Sequence, residues 1–330
     1  MKSEGPALTH QGQAGNFNET MDRVLPYRML EDCQYESEDD EIRVYEKMLV
    51  ALVEGHIDVA TAARQITDTL CDEVMEERRL TERADEDRIY PVHTSLVSIG
   101  IGSMASCFPP GHAAHRKLWE LIGAFMALEP KREIPSPLVD NNGNLVPSRK
   151  DSVDWEPEPM VFWTSIKQLS FDSNLLWLGD EGRSHWSGVE KAYSEQQARW
   201  RNMSFFLARL TTGGMADHLG HMSALFMLQP VQQLPKTSSG WSGYLAAQAL
   251  AGAQWIVPEG HGAWVWRQCK THTRSPSALH FTVEHWNQWK EAFAELAGLH
   301  DDPNVPEIAR ELSKTALEVM GRLESEDPVA

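Results

Sequence analysis

The hydrophobic positions of this chain recur at helical spacing. Ile42, Tyr45, Met48, Leu49, Leu52 and Val53 fall three and four apart and share one face. Gly55 stops that helix, and Asp58 is placed to cap the next, whose apolar stripe is Val59, Ala62, Ala63, Ile66, Leu70 and Val74. The two predict an αα-hairpin with a short turn, the second helix running on as a mixed-charge, solvated stretch over 72–88. A buried helix is predicted within 89–114, and another helix over 113–128. Further helices are predicted at 160–177, 187–210, 219–228, 242–256, 263–270, 282–297 and 305–323, with the glycines after Thr212 and the proline at 230 as stops. Period-two alternation is nearly absent, so few strands are expected.

Charge placement sorts these helices. From Leu210 to Pro258 the only charged residues are Asp217 and Lys236. A helix that is apolar all round is a buried one. The 219–228 and 242–256 helices are therefore expected as a central apolar pair. The predicted fold is all-α, a layered helical bundle of about ten helices around that pair. Residues 1–35 read as a flexible N-terminal tail, and 36–328 as one all-helical domain with a long loop or insertion at 129–159.

Composition narrows the function classes. Formal net charge is −18, from 48 acidic against 30 basic residues, which argues against nucleic acid and anionic membranes as partners. The charge-free stretch 89–114 is too polar and too interrupted to cross a membrane. The four cysteines, Cys33, Cys71, Cys107 and Cys269, form no CxxC pair and fit reduced thiols in a cytosolic or nuclear compartment, with the cytoplasm as the expected location. The polar N-terminus carries no secretory pattern. Twelve tryptophans point to a well-developed interior or an aromatic-lined pocket.

No nucleotide loop, Rossmann fingerprint, HExxH or GxSxG is present, so no cofactor and no metal are expected. The acidic cluster Glu38–Glu41 lacks the companion motif that magnesium-dependent terpene cyclisation needs. Asp217, His218 and His221 are the densest polar group in the apolar centre. His218 and His221 share a helix face, so with Asp217 they are candidate catalytic acid/base residues, or two metal ligands beside a carboxylate; the competing reading is a helix cap followed by core histidines. Arg209, at a helix C-terminus, is a candidate substrate contact or an ion-pair partner of Asp217. Trp241, Tyr244, His261, Trp264 and Trp266 are candidate substrate-binding residues for an apolar or cationic ligand, against a pure packing role. Trp264 and Trp266 are two apart and cannot share a helix face, so one points outward or into a groove. Trp286, Trp289 and Phe293, spaced i, i+3, i+7, read as core.

The stretch MSFFLARLTTGGMADHLGHMSALF (203–226), the hairpin VALVEGHIDVATAARQI (50–66) and Trp200 together resemble a fungal family described only as domain of unknown function 3632. Ala208, Arg209, Leu210, Thr211, Gly214 and Asp217 match its pattern of a helix closing in ARLTAAGV-D. The chain departs from it at Phe226–Pro230, where the family has a charged helix end. The resemblance covers roughly 40–325 and implies an all-helical fold and a filamentous-fungal source. It implies no established activity, though such families are often encoded among specialised-metabolite genes.

Two functions follow as expectations. The first is a cofactor-independent enzyme of fungal specialised metabolism that holds an apolar small molecule in a helical pocket and cyclises, isomerises or rearranges it by a pericyclic step. Such reactions need shape, positioning and at most one acid/base pair. The alternative is a non-catalytic helical scaffold presenting an acidic groove to a protein partner. Oligomeric state is not legible.

Overall fold

The computed structural model describes residues 21–27, 40–84, 94–127, 134–135, 159–160, 195–215, 223–229, 236, 240–271 and 281–327. Nine α-helices make up the described part: α1 (Asp40–Glu54), α2 (Val59–Ala84), α3 (Thr94–Ser106), α4 (Ala113–Ala127), α5 (Glu195–Thr212), α6 (Trp241–Gly252), α7 (His261–Thr271), α8 (Val283–Gly298) and α9 (Glu307–Glu326). The described strands are one two-residue antiparallel pair, Ile134–Pro135 with Pro159–Met160, which falls within and at the end of the 129–159 segment. The all-helical expectation holds.

The α1–α2 hairpin forms as its residues dictate. Gly55 takes φ +84°, a left-handed conformation that glycine adopts without cost. The Asp58 carboxylate accepts from the Thr61 N–H at 2.7 Å and caps α2. Lys117 of α4 donates to the Leu52 and Val53 carbonyls at 3.0 and 2.9 Å, satisfying the last turn of α1. Tyr45, Leu49, Leu52, Ala62, Ala63, Ile66 and Leu70 are buried, as the periodicity requires. On the other side of the molecule α8 and α9 pack together. Thr282 caps α8 by accepting from His285 N–H. Trp286, Trp289 and Phe293 are fully buried along it. Trp286 Nε1 and Lys290 Nζ both donate to the Glu324 carboxylate of α9 at 2.8 Å.

The centre differs in one respect from the expectation. Every residue of α6 from Ser242 to Gly252 is buried. Of its expected partner at 219–228, residues 219–222 lie outside the described residues, and the rest holds a short 3-10 turn, Phe226–Leu228. Gln229 precedes Pro230 and is extended, with ψ 141°, because the proline ring excludes the helical conformation from the residue before it. Leu225 and Leu228 still pack at the centre, where a Cβ on Gly252 would lie 2.9 Å from Leu228. The third central element is α5, which lies between α3 and α6. It buries Gln197, Arg199, Arg201 and Asn202 as well as its apolar side chains.

Arg199, Arg201 and Asn202 are tied by hydrogen bonds. Trp200 Nε1 donates to Gln248 Oε1 of α6 at 3.0 Å, and Asn202 donates to the Ser106 carbonyl at 3.0 Å. Arg199 and Arg201 reach residues 21–27. Arg199 donates to the Pro26 carbonyl and to Glu195; Arg201 donates to the Met21 carbonyl and pairs with Asp22 at 3.6 Å. Met21 and Leu25 are buried, and Leu25 N–H donates to the Cys107 carbonyl at 2.8 Å. Within the span read as a flexible tail, residues 21–27 are therefore a strap docked on α3 and α5. A buried guanidinium needs acceptors, and the strap's carbonyls supply them.

Candidate functional site

The chain punctuation that ends α5 and begins α7 also shapes a cleft. Helix α5 closes at Gly213-Gly214; Gly214 has φ +72°, and Met215 N–H returns to the Leu210 carbonyl at 2.9 Å. A 3-10 turn, Ala253–Trp255, follows α6, and Pro258, Glu259 and Gly260 then turn the chain, with Gly260 at φ +82°. That turn aims the first residue of α7, His261, back toward α5. The cleft between them has a volume of about 510 Å³. Trp119 of α4, Phe205 and Arg209 of α5, and His261, Trp264 and Arg267 of α7 form its walls, with Gly213 and the 258–260 turn at the rim. His261, Trp264 and Arg267 are three apart, so they succeed one another along one side of α7.

Aromatic rings order the polar groups. The Arg209 guanidinium lies 5.8 Å from the centroid of the Trp119 ring. Phe205 sits between two histidines, His115 at 5.1 Å edge-on and His261 at 5.8 Å. Trp264 meets Phe281 edge-to-face at 6.4 Å.

His261 is 7% exposed, and its Nδ1 lies 2.8 Å from the Gln254 carbonyl. A carbonyl only accepts, so Nδ1 carries the proton, and Nε2 is left as the basic nitrogen. Burial lowers its pKa; the Gln254 bond opposes the shift, and the Arg209 charge adds to it. The ring is therefore a neutral imidazole at neutral pH. Behind Phe205, His115 is fully buried and donates from Nε2 to the Phe108 carbonyl at 2.9 Å. Burial chiefly pulls its pKa down to about 4, with the His112 and Arg209 charges in the same direction.

Charge in the cleft runs against that of the chain. Two guanidiniums, Arg209 and Arg267, face one carboxylate, Glu259, among the lining residues. Among the described residues neither arginine side chain has a carboxylate within ion-pair distance. No group of three or more His, Cys, Asp or Glu side chains placed to hold a metal occurs among the described residues.

Three of the sequence-predicted site residues come together here: Arg209, His261 and Trp264. Three do not line this cleft. Trp266 faces the core, 4.8 Å from Trp286, and donates to the Asp327 carbonyl at 2.9 Å. Tyr244 is buried along α6. Trp241 opens α6 with Lys236 5.3 Å over its ring. Asp217, His218 and His221 lie outside the described residues. Sequence reasoning missed Trp119, Phe205 and Arg267 as cleft residues. Arg267 had a signal, standing three residues after Trp264 and six after His261; Trp119 and Phe205 are indistinguishable from core aromatics in the sequence.

A family model described as "Protein of unknown function (DUF3632)" matches residues 100–293, which include every residue named in the cleft walls. No curated protein and no solved structure matches the chain. Among the described residues, no helix is long and apolar enough to cross a membrane.

Proposed function

We propose that this chain, which belongs to the DUF3632 family, is a cofactor-independent enzyme that binds a small molecule in the cleft between α5 and α7 and moves a proton on it. The observation that supports this reading is the state of His261. A buried, neutral imidazole lines an aromatic-walled cleft with Nε2 left as its basic nitrogen, beside two guanidiniums that would stabilise negative charge as it develops. Nε2 takes a proton from an acidified C–H or O–H of the ligand, and the resulting imidazolium returns it at a second position. That exchange is redox-neutral and consumes no co-reactant. It suits an isomerisation, or a cyclisation that begins with deprotonation. Asp217, His218 and His221 stay candidates for a second acid/base group. The buried, apolar setting of Cys269 accords with a reducing, cytoplasmic compartment. Specialised metabolism in a fungus is the setting that the family resemblance suggests.

Mass spectrometry of metabolites from a source strain lacking the gene, compared with its parent, tests the reading. The expected result is an accumulated precursor and a lost product. Wild-type protein restores the product, and His261→Ala, with a base removed at a typical cost of roughly 10²–10⁴ in rate, does not. An unchanged metabolite profile, under conditions where the protein is made, would contradict the enzyme reading and favour the scaffold.

A further inference from the structure

We infer that the ligand of this cleft is an aromatic or polycyclic monocarboxylate, its apolar body held against Trp119 and Trp264 and its carboxylate held by Arg209 and Arg267. The inference rests on the cleft being the small-molecule site.

The charge points to an anion. Arg209 is half-buried and oriented by the Trp119 ring, and among the described residues its five donors meet no carboxylate. A guanidinium fork matches the two oxygens of a carboxylate, and a planar fork already held by a ring loses little freedom on binding. Arg267 adds a second fork from α7. The first turn of α7 also opens on the cleft at His261, so the positive end of an 11-residue helix adds to the same field. The neutral His261 does not compete for the anion as a third cation.

The size of the charge points to a monoanion. Glu259 stands at the rim of the same cleft, so the lining carries two positive charges against one negative. A monocarboxylate brings the sum to zero, whereas a dianionic phosphate leaves an excess negative charge beside Glu259. The volume of about 510 Å³ lies within the range of small-molecule pockets, and its walls are aromatic.

Isothermal titration of the full chain with paired probes decides the matter: benzoate, 1-naphthoate and anthracene-9-carboxylate, each against its neutral amide, with 1-naphthyl phosphate as a dianion. The expected result is an acid bound about tenfold or more tightly than its amide. Arg209→Gln and Arg267→Gln each bring that ratio toward one by weakening the acid far more than the amide. Arg267 is exposed, so its replacement tests the inference even if Arg209→Gln folds poorly. Equal binding of acid and amide, with both lost in Trp264→Ala, would overturn the carboxylate inference and leave the cleft as a small-molecule site. Tighter binding of the phosphate would overturn the monoanion assignment. Binding of no probe would overturn both the inference and the reading beneath it.

Discussion

Arg199 donates to the carbonyl of Pro26, 173 residues earlier in the chain, from a position that is 3% exposed. The same guanidinium reaches the Ser106 hydroxyl at 3.2 Å and the Cys107 sulfur at 3.5 Å, so one side chain joins the strap, α3 and α5. Truncation after residue 27 removes the Pro26 and Met21 carbonyls and the buried Met21 and Leu25 side chains, while Arg199 and Arg201 remain. Leaving buried cations short of partners costs about 3–5 kcal/mol. Urea denaturation of the truncated chain is expected to show a loss of that order, whereas truncation before Met21 leaves these bonds intact. Peptide-level alkylation gives an independent reading. Cys107 is 1% exposed under the strap and is expected to become reactive only in the shorter chain.

Stability should fall in mild acid because of His115. Its folded pKa is about 4, below the ordinary value of 6.5, so between those pH values the unfolded chain binds the proton that the folded chain refuses. The stabilisation is complete above pH 6.5 and is lost as pH falls toward 4, by roughly 3 kcal/mol at most. Urea midpoints at pH 7.5 and pH 5 measure it. His115→Gln keeps a donor for the Phe108 carbonyl and is expected to flatten the profile. His261, shifted the same way, retains part of the slope.

Gly262 couples packing to the cleft. A Cβ there would lie 2.6 Å from the Ile256 carbonyl and 3.2 Å from Leu323 of α9, so alanine forces the first turn of α7 outward. Gly262→Ala is expected to destabilise the protein by about 1–3 kcal/mol and, by displacing His261, to weaken binding in the cleft. Thermal melts and probe titrations on the same variant check both effects.

The α1–α2 hairpin and α8 were legible because their apolar residues follow the helical period and their caps, Asp58 and Thr282, are short-range signals. The burial of α5 was not. Arg199, Arg201 and Asn202 carry no local signal of burial, and only the distant strap and α3 reveal their partners. The cleft was half legible. Arg209, His261 and Trp264 stand out by type and position. Trp119 joins them through the crossing of α4 with the end of α5, a long-range relation that no local pattern encodes. Trp266 stood out equally, but helix geometry turned it into the core.

Affinity capture from the source organism's own small-molecule extract tests the central claim most directly. Purified protein is mixed with the extract and separated by size, and the retained compounds are identified by mass spectrometry, with Trp264→Ala alongside. The account predicts a small molecule retained by the wild type and lost from the variant. Nothing retained by the wild type, or the same compounds retained by both, would contradict it.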